Sequence, residues 1–119
     1  MPDIEQAVRV LESHIEVIHS VPDWAEKMKY DSPKYFTRKI RAHYRKSPYK
    51  LIVEKKLERI ISELEKSGDD ILFSIALDLG FADNNALYKF VKRHTGKTPS
   101  EIRKGRVKRE SNFIFKFRT

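Results

Sequence analysis

"ADNNALYKFVKRHTGKTP", residues 82–99, decides the fold once it is laid over "DSPKYFTRKIRAHYRKSP", residues 31–48, which precedes it by 51 positions. In both stretches apolar side chains recur at helical spacing, Phe36 and Ile40 in the earlier one and Leu87 and Val91 in the later, with basic side chains crowded around them. The match runs on without a gap. Trp24, Ala25, Met28 and Tyr30 fall on Ile75, Ala76, Leu79 and Phe81, while Lys46, Ser47, Pro48 and Leu51 fall on Lys97, Thr98, Pro99 and Ile102. Small stays small, apolar stays apolar and basic stays basic. A duplicated helix-turn-helix explains all of this with one hypothesis.

Working outward, Ile4, Val8, Leu11, Ile15 and Ile18 repeat at steps of four and three, with Asp3 and Gln6 as a capping pair, which predicts a helix over residues 3–18. Ser20 and Pro22 open a short helix through Met28, and Ser32 with Pro33 opens a third, on which Phe36, Ile40 and Tyr44 face the core. Ser47 and Pro48 start a long helix whose buried face is Val53, Leu57, Ile60, Ile61 and Leu64. Its 17 residues at 49–65 span about 25 Å at ~1.5 Å each. "ILFSIALDLGF", residues 71–81, fits a strand or a buried helix by pattern alone, and the repeat decides for helix. Thr98, Pro99 and Glu101 form a capping box for a last helix. The expected fold is all-α with about seven helices. Two homeodomain-like helix-turn-helix subdomains, residues 3–46 and 68–104, are joined by a linker helix at 47–67 and followed by a basic tail at 105–119.

The 119 residues suffice for one domain or two very small ones, and the lack of cysteine excludes disulfides and thiolate-held zinc. The longest apolar run is far too short for a bilayer and the N-terminus has no signal-peptide pattern, so a soluble cytoplasmic protein without a membrane partner is expected. Residues 1–26, 27–59, 60–83 and 84–119 carry net charges of −5, +9, −5 and +9. Two separated basic surfaces suit a polyanion touched at two places. The four histidines have no partners at metal-ligand spacing, and no glycine-rich phosphate loop or nucleophile-base set is present, so neither a metal, a cofactor nor an enzyme is expected. His43 and His94 stand where imidazolium would favour the negative end of a helix.

In a helix-turn-helix the first helix braces the second, which enters the major groove, and a small residue lets the two cross closely. Ala25 and Ala76 fit that position. Gly80 permits a left-handed turn, whereas the equivalent Lys29 implies either strain or another turn geometry. With Phe36 and Ile40 inward, Lys34, Thr37, Arg38 and Arg41 point outward; with Leu87 and Val91 inward, so do Asn84, Asn85, Tyr88, Lys89 and Lys92. Arginine forks onto guanine and asparagine onto adenine, which makes these residues suited to reading bases. Ser32, Arg41, Arg45, Lys46, Lys92, Arg93 and Lys97 are the phosphate candidates, and Asp83 reads as a cap.

The stretch "IALDLGFADNNALYKFVKRHTGKTPSEIRK", residues 75–104, resembles the signature of AraC/XylS-type bacterial transcription regulators, above all in Ala76, Gly80, Phe81 and the Gly-Lys-Thr-Pro of residues 96–99. The resemblance covers roughly residues 4–104. It implies sequence-specific binding of double-stranded promoter DNA, with two recognition helices in adjacent major grooves. Carried over by position, base contacts fall on Lys34, Thr37 and Arg38 in the first unit, and on Asn84, Asn85, Tyr88 and Lys89 in the second. It also implies a nucleoid-associated protein with RNA polymerase as a partner. Lys89 stands where the family often has arginine, and a lysine cannot fork onto guanine. Such regulators usually carry an effector domain that is absent from this chain, which reads either as a small stand-alone activator or as a piece of a larger regulator. A non-specific nucleic-acid binder and a helical protein-interaction adaptor are the alternatives.

Overall fold

A computed structural model describes residues 3–66 and 71–104. A single 3-10 turn (Ile4–Gln6) leads into α1 (Ala7–Ser13), followed by α2 (Val21–Lys27), α3 (Pro33–Tyr44), α4 (Pro48–Lys66), α5 (Ile71–Asp78), α6 (Asn84–Thr95) and α7 (Pro99–Lys104). Among the described residues there is no strand, as the all-α reading expects. The chain divides into two compact units, Met1–Lys56 and Leu57–Thr119, and the division falls inside α4. The basic tail at 105–119 lies outside the described residues.

The helix starts follow from side-chain chemistry. The first N–H groups of a helix lack partners inside it, and a serine, threonine or aspartate oxygen supplies one. Ser20 Oγ accepts from the Asp23 N–H at 3.2 Å, Ser32 Oγ from Tyr35 at 3.2 Å, Ser47 Oγ from Lys50 at 3.2 Å and Asp83 Oδ1 from Ala86 at 2.8 Å. Before α7 the box closes in both directions: the Glu101 N–H donates to Thr98 Oγ1 at 3.0 Å, and the Thr98 N–H donates to Glu101 Oε1 at 2.8 Å. The bonds from Thr98 hold the Glu101 carboxyl below the usual range.

The N-terminus departs from the single helix expected over residues 3–18. α1 ends at Ser13, because His14 leaves helical geometry at φ −122°, ψ 25° with its N–H shared between the Val10 and Leu11 carbonyls. Asp3 makes no side-chain cap bond. The chain then tightens into turns, with the Val17 and Ile18 N–H groups both donating to the His14 carbonyl. Ile15 and Ile18 are buried all the same, so the apolar spacing survives the loss of the helix that it resembled.

In the first unit, Ala7, Leu11, Ile18, Trp24, Met28, Phe36 and Ile40 are buried. The Trp24 ring meets Phe36 edge-on at 5.1 Å, and its Nε1–H donates to the Ala7 carbonyl at 3.1 Å. The Tyr44 hydroxyl donates to the Ile4 carbonyl at 2.6 Å, tying the end of α3 to the N-terminal turn. In the second unit Leu57, Ile60, Ile61 and Leu64 of α4 are buried, as are Ile75, Ala76, Leu79, Leu87, Val91 and Ile102. Burying one such side chain contributes roughly 1.5–3 kcal/mol.

The turns between α2 and α3 and between α5 and α6 are the same turn. The Tyr30 N–H reaches back to the Ala25 carbonyl at 2.9 Å and the Phe81 N–H to Ala76 at 2.8 Å, with Lys29 at φ 62° and Gly80 at φ 82°. The geometry is therefore unchanged, and Lys29 bears the strain. Arg45 at φ 61° and Gly96 at φ 79° repeat the relation at the ends of α3 and α6. A left-handed non-glycine residue costs about 1–2 kcal/mol, partly offset by the larger unfolded-state entropy of glycine. Lys29→Gly is expected to raise stability by about 0.5–1 kcal/mol, read as a higher urea midpoint with an unchanged slope. A lower midpoint would mean that the lysine side chain holds the turn.

Candidate nucleic-acid interface

α3 and α6 are built alike. Each is 12 residues long, each starts on a capped N-terminus, and each ends on a left-handed residue whose N–H donates back to Arg41 or Lys92. Phe36 and Ile40 bury one face of α3, and Leu87 and Val91 bury one face of α6. Neither helix contains an acidic residue. The outer faces are therefore cationic or neutral along their whole length.

On α3, Lys34 and Arg38 are exposed and Thr37 is half-buried between them. Arg41 and Arg45 continue that stripe at steps of three and four, both exposed. On α6, Asn84, Asn85, Tyr88 and Lys89 are exposed, as are Lys92 and Arg93 beyond them. Tyr88 leaves 46% of its surface open, a large exposed aromatic area. Lys97 is exposed beyond the helix end. Ser32 is exposed but its hydroxyl accepts the capping bond, so toward an anion it offers only its O–H hydrogen.

Charge counting overstates the cations available to a ligand. Lys46 Nζ sits 2.7 Å from Glu54 Oε2, and Lys55 Nζ sits 2.9 Å from Glu12 Oε2. Lys56 is buried with its Nζ 3.4 Å from His19 Nδ1, and burial pushes its ammonium pKa down against the pull of Asp23. Arg59 reaches Glu63 and Asp78, each at 3.8 Å. Four of the twelve basic residues in the 27–59 block are thus turned to internal partners, while the stripe on α3 meets no carboxylate in those pairs.

One cation went unnoticed in the sequence. Lys50 lines an open pocket of about 650 Å³ with Arg41, Arg45, Lys46 and Ser47, where the end of α3 turns into α4. The Ser47 cap and the left-handed Arg45 bring it there. The signal was the Ser-Pro start of α4, which puts Lys50 in that helix's first turn beside the end of α3.

Burial, then the neighbouring Arg93, lowers the His94 pKa, which favours the neutral ring; the ring lies tilted at 60° against Phe90 at 4.8 Å, and the Gly96 N–H donates to the Lys92 carbonyl at the helix end. Among the described residues no group of three histidine or carboxylate side chains is placed to hold a metal ion.

Residues 6–105 match the family model of a helix-turn-helix domain. The chain belongs to the AraC-type helix-turn-helix family. No curated protein matches it in sequence. Three solved structures share the fold of this AraC-type domain. The C-terminal domain of AraT, a response regulator from Geobacillus stearothermophilus, is 22% identical with a TM-score of 0.76, covering 92% of this chain and 90% of its own. A transcriptional regulator with an AraC-type DNA-binding domain from Chromobacterium violaceum is 25% identical with a TM-score of 0.71, covering 89% and 93%. The DNA-binding domain of the global transcriptional factor AdpA, solved in complex with a target DNA, is 20% identical with a TM-score of 0.73, covering 93% and 98%. The family and fold of this AraC-type chain are those of DNA-binding transcription regulators.

Proposed function

We propose that this chain is the sequence-reading part of a bacterial transcription regulator, with α3 and α6 each lying in a major groove of double-stranded promoter DNA. The observation that carries this reading is the pair of capped helices whose acid-free outer faces begin with Lys34, Thr37 and Arg38, and with Asn84, Asn85, Tyr88 and Lys89. Guanidinium and carboxamide groups at such positions match guanine and adenine edges, whereas purely electrostatic binding needs only lysine and arginine. Arg41, Arg45 and Lys50, together with Lys92, Arg93 and Lys97, are assigned to phosphates, as is Ser32. Lys46 joins them only by exchanging Glu54 for a phosphate. Each unit supplies one such helix, and α4, 19 residues long, runs from one unit into the other. No helix among the described residues is long and apolar enough to cross a membrane. On this reading the protein works in the cytoplasm on the nucleoid, with RNA polymerase as a partner and without catalysis.

Selection from a random duplex library at near-physiological salt tests this. The expected result is a site with two short informative blocks about one helical turn apart. Enrichment of nothing, with affinity following salt alone, would reduce the protein to a polyanion binder.

A further inference from the structure

The N-termini of α2 and α3 come together beside the base-reading residues, and what they form has no counterpart in charge or hydrogen bonding. Val21 and Pro22 of α2 and Pro33, Lys34, Thr37 and Arg38 of α3 line an open trough of about 510 Å³. The valine and the two prolines bring only carbon to it, and the threonine brings a methyl and a hydroxyl. The two cations belong to the exposed stripe of α3.

The trough is rigid by construction. Pro22 and Pro33 sit in the first turns of their helices with φ fixed by their rings. Each helix start is pinned by its own serine, Ser20 to the Asp23 N–H and Ser32 to the Tyr35 N–H, both at 3.2 Å. The His19 N–H donates to Asp23 Oδ2 at 3.0 Å, which fixes the approach to α2 from the other side. Little conformational entropy is left to lose when something enters.

Base edges in the major groove are polar with one exception, the C5-methyl group of thymine. A mainly apolar recess that also includes Lys34 and Arg38 suits that group: the cations draw the strand in, and Val21, Pro22 and Pro33 offer the methyl carbon to pack against. We infer that the Val21, Pro22, Pro33 and Thr37 trough reads a thymine 5-methyl next to the base pair contacted by Arg38, so that the first half-site carries a thymine chosen by hydrophobic contact. The inference rests on the reading of α3 as a groove-entering helix and adds the chemistry of one base to it. The second unit differs at the matching positions, with Asn84, Asn85 and Tyr88 in place of Pro33, Lys34 and Thr37. The recess is accordingly assigned to the first half-site only.

The test uses the full chain and the duplex that the library selection returns. Each thymine of the first block is replaced in turn by deoxyuridine, which removes one methyl and leaves every hydrogen-bonding group in place. One of these replacements is expected to weaken binding about three- to fivefold, the worth of one buried methyl. Cytosine followed by 5-methylcytosine at that position is expected to recover a similar factor from the methyl alone. A Val21→Ser variant should flatten the difference between thymine and deoxyuridine while still preferring the same guanine. If the selected site is bound but no deoxyuridine replacement costs more than the others, the methyl assignment is wrong and the groove reading stands. If no site is selected at all, both fall together.

Discussion

Trp24→Ala is expected to remove the cooperative fold of residues 1–56. The indole is completely buried, packs edge-on against Phe36 at 5.1 Å and donates from Nε1 to the Ala7 carbonyl at 3.1 Å. Truncating a buried tryptophan typically costs ~3–5 kcal/mol, and losing the hydrogen bond to the Ala7 carbonyl adds about 0.5–1.5 kcal/mol. At ~0.05–0.15 kcal/mol per residue, a unit of this size has about 3–8 kcal/mol in total. Loss and reserve are therefore of the same size, and the native state should no longer dominate at 25 °C. Residue-resolved amide exchange checks this, with α2 and α3 expected to lose protection. Trp24→Phe, which keeps the ring packing and gives up the hydrogen bond, should retain the fold with a loss of about 1–3 kcal/mol. Wild-type protection in Trp24→Ala would mean that the unit's stability lies elsewhere, for instance in the Tyr44 tie to Ile4.

The part of this architecture written locally was legible in the residues. Ser20, Ser32, Ser47 and Thr98 mark helix starts because a capping hydroxyl acts within three residues of itself, and all four make the expected bonds. The ambiguous apolar run at 71–78 became a helix only by comparison with residues 51 positions earlier, since its own pattern fits a strand as well. Residues 3–18 misled for the opposite reason: Ile15 and Ile18 keep helical spacing although the backbone has left the helix at His14, and burial alone cannot distinguish helix from tight turns.

The candidate site was legible as a set of faces, because the burial of Phe36, Ile40, Leu87 and Val91 dictates which neighbours point outward. What the chain order hid were pairings made in space. Lys46 meets Glu54 across the start of α4, Lys55 meets Glu12, and Lys56 turns inward toward His19. The trough between α2 and α3 was hidden likewise, being made by two helix starts that are a dozen residues apart. The strain at Lys29 was only half visible: the repeat set it opposite Gly80, but whether the turn or the residue would yield depended on the bond from Tyr30 to Ala25.

Arg38→Ala is expected to be the change that most alters which DNA is chosen. The guanidinium is exposed in the second turn of α3, on the same face as Lys34, and α3 has no carboxylate to hold it. One bidentate contact to guanine discriminates by ~1–3 kcal/mol, so the preference at one position of the first block should fall by roughly 5- to 150-fold while the other positions keep theirs. Arg38→Lys separates charge from geometry. Lysine keeps the attraction to phosphate but lacks the planar fork, so affinity for random duplex should hold while discrimination at that position still falls. Arg41→Ala serves as the contrast, because a phosphate contact carries no sequence information: it should weaken all duplexes alike and lower the salt slope by about one. These two signatures differ in kind, one changing the ranking of sequences and the other only their common level. A uniform loss in Arg38→Ala would move Arg38 to the phosphate set and leave sequence choice to Lys34, Thr37 and the trough beside them.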